Sequence, residues 1–416
     1  MTSPEGVSRI AGRIEDLGDA FDLLAAYDPG GGAFFERSGL GVSMSIANIS
    51  ITAPLSGESA RELHGWLSRI DEELGGTGRS IAIGTFPFDR SGRGHLLLGE
   101  RTVRRTTDRE TLQIGVWDDS VGPQRLPSFE RVIEPVVHDA FTGQQLRDSP
   151  SAADYGSGVA EAVDRIRTGE LRKVVLARTI EVDAGRELDA RRLAHRLRAV
   201  NPDAYTFVAP TTGIIVGASP ELLVSRFGRV VRSNPLAGSA ARSGDPDEDR
   251  ENAARLLASA KDHEEHAIVV DALATTLASF CRELSWDLVP TLLETPNVWH
   301  LSTKFRGLLR DPAPGVLELV EALHPTPAVA GEPRDAALGL IAELEPFERG
   351  SYAGPVGWVD ASGDGEWAIA LRCAELRGDH ATLYAGAGIV AGSRPDAEVD
   401  ETERKFRAFL DALRWG

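Results

Sequence analysis

Apolar and polar positions alternate in short runs over the first 150 residues and settle into longer periodic blocks from about Tyr155 onward. GVSMSIANISITA (41–53), SIAIGTFPFD (80–89) and GHLLLGERTVRRT (94–106) read as strands, and ARELHGWLSRIDEEL (60–74) as a helix. The stretch from Leu126 to Ser151 is polar with scattered prolines, the composition of a linker. Beyond it, SGVAEAVDRIRTGEL has the 3.6-residue spacing of a helix with Ser157 as its cap, and KVVLARTIEV (173–182) is a β-branched run suited to a buried strand. TGIIVGASPELLVSRFGRVVRSNPLAGS reads as three short strands, and residues 246–284 as one long helix with an acidic first turn. PVGWVD, EWAIALRCAEL and ATLYAGAGIVAG are strands, and EVDETERKFRAFLDAL is the closing helix. Strands joined mainly as hairpins, with helices between groups of them, predict an α+β layered fold.

The 416 residues are enough for one elaborate domain or several ordinary ones. Acidic residues outnumber basic ones by 63 to 45, a formal charge of −18, with no basic tail or cluster. That balance argues against nucleic acid or an anionic membrane as the main partner, and requires an anionic substrate to find local cations. The two cysteines, Cys281 and Cys373, have no metal-ligand or disulfide-scaffold spacing, and no apolar run reaches the length of a membrane span. The N-terminus lacks the basic and apolar regions of a signal peptide, so the expected setting is a soluble cytoplasmic protein.

Several residues could carry chemistry. Glu398, Glu401 and Lys405 share one face of the closing helix, where Glu401 and Lys405 fit a solvent-exposed pair and the two glutamates fit the oxygen preference of Mg²⁺. Glu265 lies at the edge of an apolar helical stripe, either as a solvated rim carboxylate or aimed at a partner. Period-two alternation in WAIALRCAEL puts Arg372 on a face with Ala368, Ala370 and Ala374, near Gly386 and Gly388 of the next strand. Open backbone N–H groups and a guanidinium fork there suit a carboxylate, although a structural ion pair suits Arg372 as well. Lys173 opens a buried strand, and near other cations it would become a base; Glu221, after Ser-Pro, fits a first-turn helical acid.

Taken together, RKVVLAR (172–178), GASPELL (217–223), PLAGSAAR (235–242), KDHEEHAIVV (261–270), VWHLSTKFRG (298–307), LHPTPAVAGEP (323–333), ERGSYAGPVGW (348–358), IALRCAEL (369–376), YAGAGIVAGS (384–393) and EVDETERK (398–405) resemble the chorismate-utilising enzymes, a family of isochorismate, salicylate, anthranilate and aminodeoxychorismate synthases. The resemblance covers the chain from about Tyr155 and weakly its earlier part, as in TFPFD (85–89), so residues 151–416 are expected to form the catalytic region and residues 1–150 the weakly matched remainder of one continuous domain. It implies two β-sheets packed face to face with helices outside. It implies Mg²⁺ held by Glu265 and Glu401, with Glu398 beside them or acting through water, the enolpyruvyl carboxylate on Arg372 and Tyr352, and the ring carboxylate on the metal. It further implies that Gly238, His300, Ala328, Gly386, Gly388 and Lys405 line the remaining substrate contacts, with Lys173 and Glu221 as the acid–base pair.

Within this family the members that add water resemble this chain in carrying lysine at position 173, and the PIKGT lysine of the aminodeoxychorismate enzymes is Ala237 here. HPTPAVAG (324–331) looks like the isochorismate synthases rather than the salicylate formers. The resemblance therefore implies conversion of chorismate to isochorismate by a monomer without an obligatory glutaminase. A salicylate synthase, an ammonia-using synthase and a non-catalytic chorismate-binding relative are the alternatives.

Overall fold

The computed structural model describes residues 10–18, 21–45, 47–73, 75–76, 80–108, 110–118 and 144–414. Residues 1–9, where a signal peptide would begin, and most of the expected 126–151 linker lie outside the described residues. The described end of that linker, Gln144–Ser149, is a strand paired with Lys173–Asp183. Eight α-helices run through the described residues: α1 (Gly57–Glu73), α2 (Ala152–Arg167), α3 (Ala190–Val200), α4 (Pro246–Ala258), α5 (Ala260–Phe280), α6 (Val316–Leu323), α7 (Arg334–Leu344) and α8 (Pro395–Arg414).

The strands form an antiparallel 12-stranded sheet, a nine-stranded sheet and a small three-stranded sheet, so the α+β expectation of two large sheets holds with one small sheet added. A single core lies between the two large sheets, with Phe35, Tyr205, Phe207 and Ile215 from one and Ile83, Leu97, Val356 and Trp367 from the other. A second core fills the far face of the larger sheet, where Val208, Val216 and Leu383 meet Leu193 and Leu197 of α3 and Phe406 and Phe409 of α8. Helices thus cover outer faces, which is how a sheet with two apolar faces is kept from water.

Runs that alternate without a break in sequence are corners in space. Leu40–Met44 pairs with Arg101–Arg105 in the larger sheet, whereas Ala47–Pro54 pairs with Arg93–Gly99 in the smaller one. The expected strands 41–53 and 94–106 therefore each cross from sheet to sheet. The expected strand EWAIALRCAEL does the same, as Gly365–Ile369 in the nine-stranded sheet and Cys373–Arg377 in the 12-stranded one. Its neighbour crosses beside it: Ile214–Ser219 belongs to the larger sheet and Leu222–Phe227 to the other. TGIIVG…LAGS accordingly yields four strands rather than three, the others being Val230–Asn234 and Leu236–Ala241.

Two helix readings need correction. The long helix expected over 246–284 is α4 and α5, broken at Ser259, whose extended backbone (φ −76°, ψ 111°) ends one while its side chain caps the other by accepting from the Asp262 N–H. Its last residues leave the helix as the strand Cys281–Trp286. The cap of α2 is Ser151, not Ser157; Ser157 lies inside the helix and donates to the Ala153 carbonyl.

Candidate active site

The two adjacent crossings place Glu221 and Arg372 side by side at the seam between the large sheets, tied by Ile369 N–H to the Glu221 carbonyl (3.2 Å) and Ala218 N–H to the Arg372 carbonyl (3.2 Å). Arg372 takes a left-handed backbone conformation (φ 49°) at this corner, so the face it was expected to share with alanines does not exist. Glu221 is likewise not a helical residue but the link between two strands. Strands that part at a seam open a cleft of roughly 710 Å³, closed on its other sides by α5, α8, the small sheet and the 326–330 loop.

Glu221 is buried. Burial pushes its carboxyl up to about 8, against the Leu236 backbone and the positive charges of Lys173 and Lys405. A carboxyl in that state keeps its proton at neutral pH and can give it away.

The opposite wall carries three lysine–glutamate pairs. Glu265 Oε1 on α5 lies 3.1 Å from Lys173 Nζ, Glu398 Oε1 on α8 lies 2.8 Å from Lys261 Nζ, and Glu401 Oε1 lies 2.6 Å from Lys405 Nζ. Glu265 is buried among the apolar residues of α5 rather than on a solvated rim, and the Glu401–Lys405 pair faces the cleft rather than solvent. Burial and the neighbouring Glu401 charge push Glu398 up to about 7, opposed by Lys261. Burial would raise Glu401 too, but Lys405 and Lys261 hold it down at about 2. Lys173 is fully enclosed, its Nζ without a hydrogen bond, and its neighbour at 3.1 Å is the Glu265 carboxyl rather than the cations expected of a tuned base.

Arg372 donates to His300 Nε2 at 2.9 Å. That bond needs His300 neutral, and burial with the Arg372 charge holds its ring well below the usual histidine range. Tyr352 stacks on Tyr384 with ring centres 4.9 Å apart. Burial raises its phenol above the ordinary tyrosine value, so it stays a neutral O–H. Gly386 and Gly388 pair with Ala177 and Val175, whose N–H groups go instead to Glu345 and the Ala330 carbonyl. These are therefore non-hydrogen-bonded pairs, and the glycine N–H and C=O groups turn away from that strand. Lys405 Nζ takes the Gly386 carbonyl at 2.7 Å. A Cβ on Gly388 would come within 2.0 Å of Glu265 Oε1, so only glycine leaves room for the Glu265–Lys173 pair.

Glu221, Gly238, Glu265, His300, Ala328, Tyr352, Arg372, Gly386, Gly388, Glu401 and Lys405 all line the cleft. Lys173 and Glu398 do not; they sit behind it, touching it through Glu265 and alongside Glu401. Three contributors escaped the sequence reading. Lys261 holds Glu398, and its position in line with Glu265 on α5 was a usable signal. Ser239, beside Gly238, lines the cleft and bonds to the Glu401 carboxyl. Arg349, buried in a pair with Glu345 at 2.5 Å, donates to the Val175 and Val329 carbonyls and lies over the Phe88 ring at 4.3 Å. Arg349 thereby joins the Lys173 strand, the 326–330 loop and the TFPFD segment in one knot. Its neighbours in sequence are Glu348, Gly350 and Ser351, so no local apolar pattern in ERGSYAG marked it as buried.

The donor set suits a hard divalent cation: Glu265 and Glu401 both offer oxygens to the cleft, and the upward push of Glu401 on Glu398 marks an excess of negative charge that a cation would relieve. As the side chains stand, among the described residues no three acidic, histidine or cysteine groups converge on one point, because each glutamate is engaged by a lysine. No helix among the described residues is long and apolar enough to cross a membrane.

Comparison with known proteins places these features in context. A family model described as chorismate binding enzyme matches residues 80–414. Isochorismate synthase DhbC of Bacillus subtilis (strain 168) is 40% identical over 405 residues, covering 94% of this chain and 95% of its own length. Isochorismate synthase EntC of Escherichia coli (strain K12) is 43% identical over 299 residues, covering 70% and 76%. Among solved structures, MenF, the menaquinone-specific isochorismate synthase from Escherichia coli, superposes with a TM-score of 0.83 at 26% identity, over 97% of this chain and 95% of that one.

Proposed function

The chain belongs to the chorismate-binding enzyme family, and we propose that within it the chain works as a magnesium-dependent isochorismate synthase, adding water at C2 of chorismate with loss of the C4 hydroxyl. The observation that carries the reading is Glu221: a buried acid with its carboxyl near pH 8, in the same cleft as the carboxylate-binding candidates Arg372 and Lys405. With a carboxyl near 8 it holds its proton at neutral pH and can donate it.

In this reading Arg372 offers its guanidinium to one substrate carboxylate, with the Tyr352 hydroxyl donating beside it. His300, accepting from Arg372, keeps the fork from turning away. The N–H groups of Gly386 and Gly388 point to the same space, and Gly238, at a bulge with left-handed backbone (φ 77°) in the strand Leu236–Ala241, carries the small sheet past α5 to make the opposite rim. Ala328 borders the cleft on the loop that Arg349 anchors. Lys173, neutral in the complex, takes a proton from the attacking water. Glu221 gives its proton to the departing hydroxyl, which leaves as water while the ring double bonds shift. Glu265 and Glu401, with Glu398 behind, would hold Mg²⁺, whose Lewis acidity draws charge from a bound carboxylate as the bonds rearrange.

Water rather than ammonia is the nucleophile here, so no glutaminase subunit is required, and the enzyme acts as a cytoplasmic monomer. Both cysteines are buried and unpaired, in keeping with a reducing compartment. The test is chromatographic analysis of purified protein with chorismate and Mg²⁺ and no ammonia source. Isochorismate without salicylate is expected. Salicylate with pyruvate would overturn the assignment in favour of a salicylate synthase, and turnover only on adding ammonium would overturn the choice of nucleophile.

A further inference from the structure

This chain uses arginine almost exclusively as its cation: of 45 basic residues, 41 are arginine and four are lysine. Three of those four lysines, Lys173, Lys261 and Lys405, are the ones paired with Glu265, Glu398 and Glu401. The fourth, Lys304, is exposed and outside the cleft. Buried structural ion pairs elsewhere in the same molecule are made by arginine, as in Arg349–Glu345 and Arg178 with Asp148 and Glu403. The choice of cation therefore follows place, and lysine is kept where carboxylates meet the cleft.

The two cations differ in what they allow next. A guanidinium grips a carboxylate through two parallel N–H bonds and holds both oxygens. An ammonium is a compact point charge that engages one oxygen and gives it up more readily. Lys173 and Lys405 also touch, or sit beneath, the reaction space. Lys261 does not: it lies outside the cleft lining, on α5, and its one ion-pair partner among the described residues is Glu398. Its lysine identity needs another reason.

We infer that Lys261 is a resident counter-cation, a displaceable charge that neutralises Glu398 while no divalent ion is bound and yields that carboxylate when one arrives. Without it, Glu265, Glu398 and Glu401 would face one another with two cations between them, a costly arrangement in a buried setting. With arginine in its place, Glu398 would be held by both oxygens and the ion would have to break a stronger pair. The inference rests on the metal assignment above, and it sets Lys261 as a positioning residue that acts through Glu398.

Opposite substitutions test it with a readout other than turnover. Mn²⁺ binding to the full chain, measured by calorimetry without chorismate, is compared in wild type, Lys261→Arg, Lys261→Met and the exposed control Lys304→Arg, with thermal melting of each metal-free protein. Lys261→Arg is expected to weaken Mn²⁺ binding about tenfold or more, which is the cost of an added hydrogen-bonded charge contact. Lys261→Met is expected to tighten binding and lower the metal-free melting temperature, with Mn²⁺ restoring it. Lys304→Arg is expected to match wild type. Arginine and methionine shifting affinity in the same direction, or both matching Lys304→Arg, would overturn the inference. Failure of the metal assignment looks different: wild type itself would not bind Mn²⁺, or Glu401→Ala would bind it undiminished.

Discussion

The two walls of the cleft hold the same functional group in opposite states. On the strand side, Glu221 is buried without a paired cation, and its carboxyl is pushed up to about 8. On the helix side, Glu401 is pulled down to about 2 by Lys405 and Lys261, and Glu398 is held near 7 between burial, Glu401 and Lys261. The difference arises from backbone, not side-chain type. A seam where strands change sheets leaves Glu221 among apolar neighbours, whereas α5 and α8 present lysines one helical turn or one helix away. Divergent environments for identical groups are how one site obtains both a proton donor and a set of anions.

The harshest way to break this contrast is to remove the groups that move protons. Glu221→Gln and Lys173→Ala are each expected to lower kcat by about 10²–10⁴ while the protein stays folded, the usual cost of losing one member of an acid–base pair. Steady-state rates with circular dichroism as a folding control measure this. Near-normal turnover in either variant would show that the strand wall is structural.

How far the sequence could show these walls depends on which of them is considered. The helix wall was readable, because Glu398, Glu401 and Lys405 share a face by helical spacing and Glu265 lies at the border of an apolar stripe. The strand wall was not, because alternation continues unbroken through a corner: in 41–53, 94–106 and 366–376 the apolar positions serve one sheet and then the other, and the period alone cannot mark the change. Arg372 shows the cost of that, since its expected face with Ala368 and Ala374 spans a break with left-handed backbone. Ser259 hid for a similar reason: α4 and α5 each keep helical spacing, and one serine between them both ends and caps. The site residues themselves came from the resemblance to a family, and what no local pattern could supply was their pairing, lysine by lysine, across elements distant in sequence.

A smaller effect separates the two α8 glutamates. Glu401 lines the cleft and Glu398 lies behind it, so Glu401→Ala is expected to abolish or severely weaken the Mg²⁺ response, while Glu398→Gln raises the Mg²⁺ requirement about tenfold, the scale of a residue that supports a ligand. Magnesium titrations of activity and Mn²⁺ calorimetry both report it. Equal effects would mean that the two carboxylates act as equivalent ligands; an unchanged titration in Glu401→Ala would remove it from the metal set.

The gentlest probe is pH, and above about pH 8 it reads the strand wall, because Glu398 on the helix wall titrates lower, near 7. Glu221 must carry its proton to donate it, so kcat/KM is expected to fall above about pH 8, approaching tenfold per pH unit, with the limb set by this carboxyl. Stability should move with the same group. Between the ordinary glutamate value of 4.5 and about 8, the folded carboxyl keeps a proton that the unfolded one has lost. The folded state then binds more protons, so its stability falls as pH rises through that window and is flat on either side. Glu221→Gln has no such proton, and chemical denaturation should find it more stable than wild type at pH 7 by on the order of 3 kcal/mol, with the gap closing as pH approaches 4.5. A variant that is slower but also sturdier would mark Glu221 as a group held in an unfavourable place for its chemistry. A gap that is constant with pH, or that widens toward acid, would mean that Glu221 is ionised in the folded protein and cannot be the proton donor.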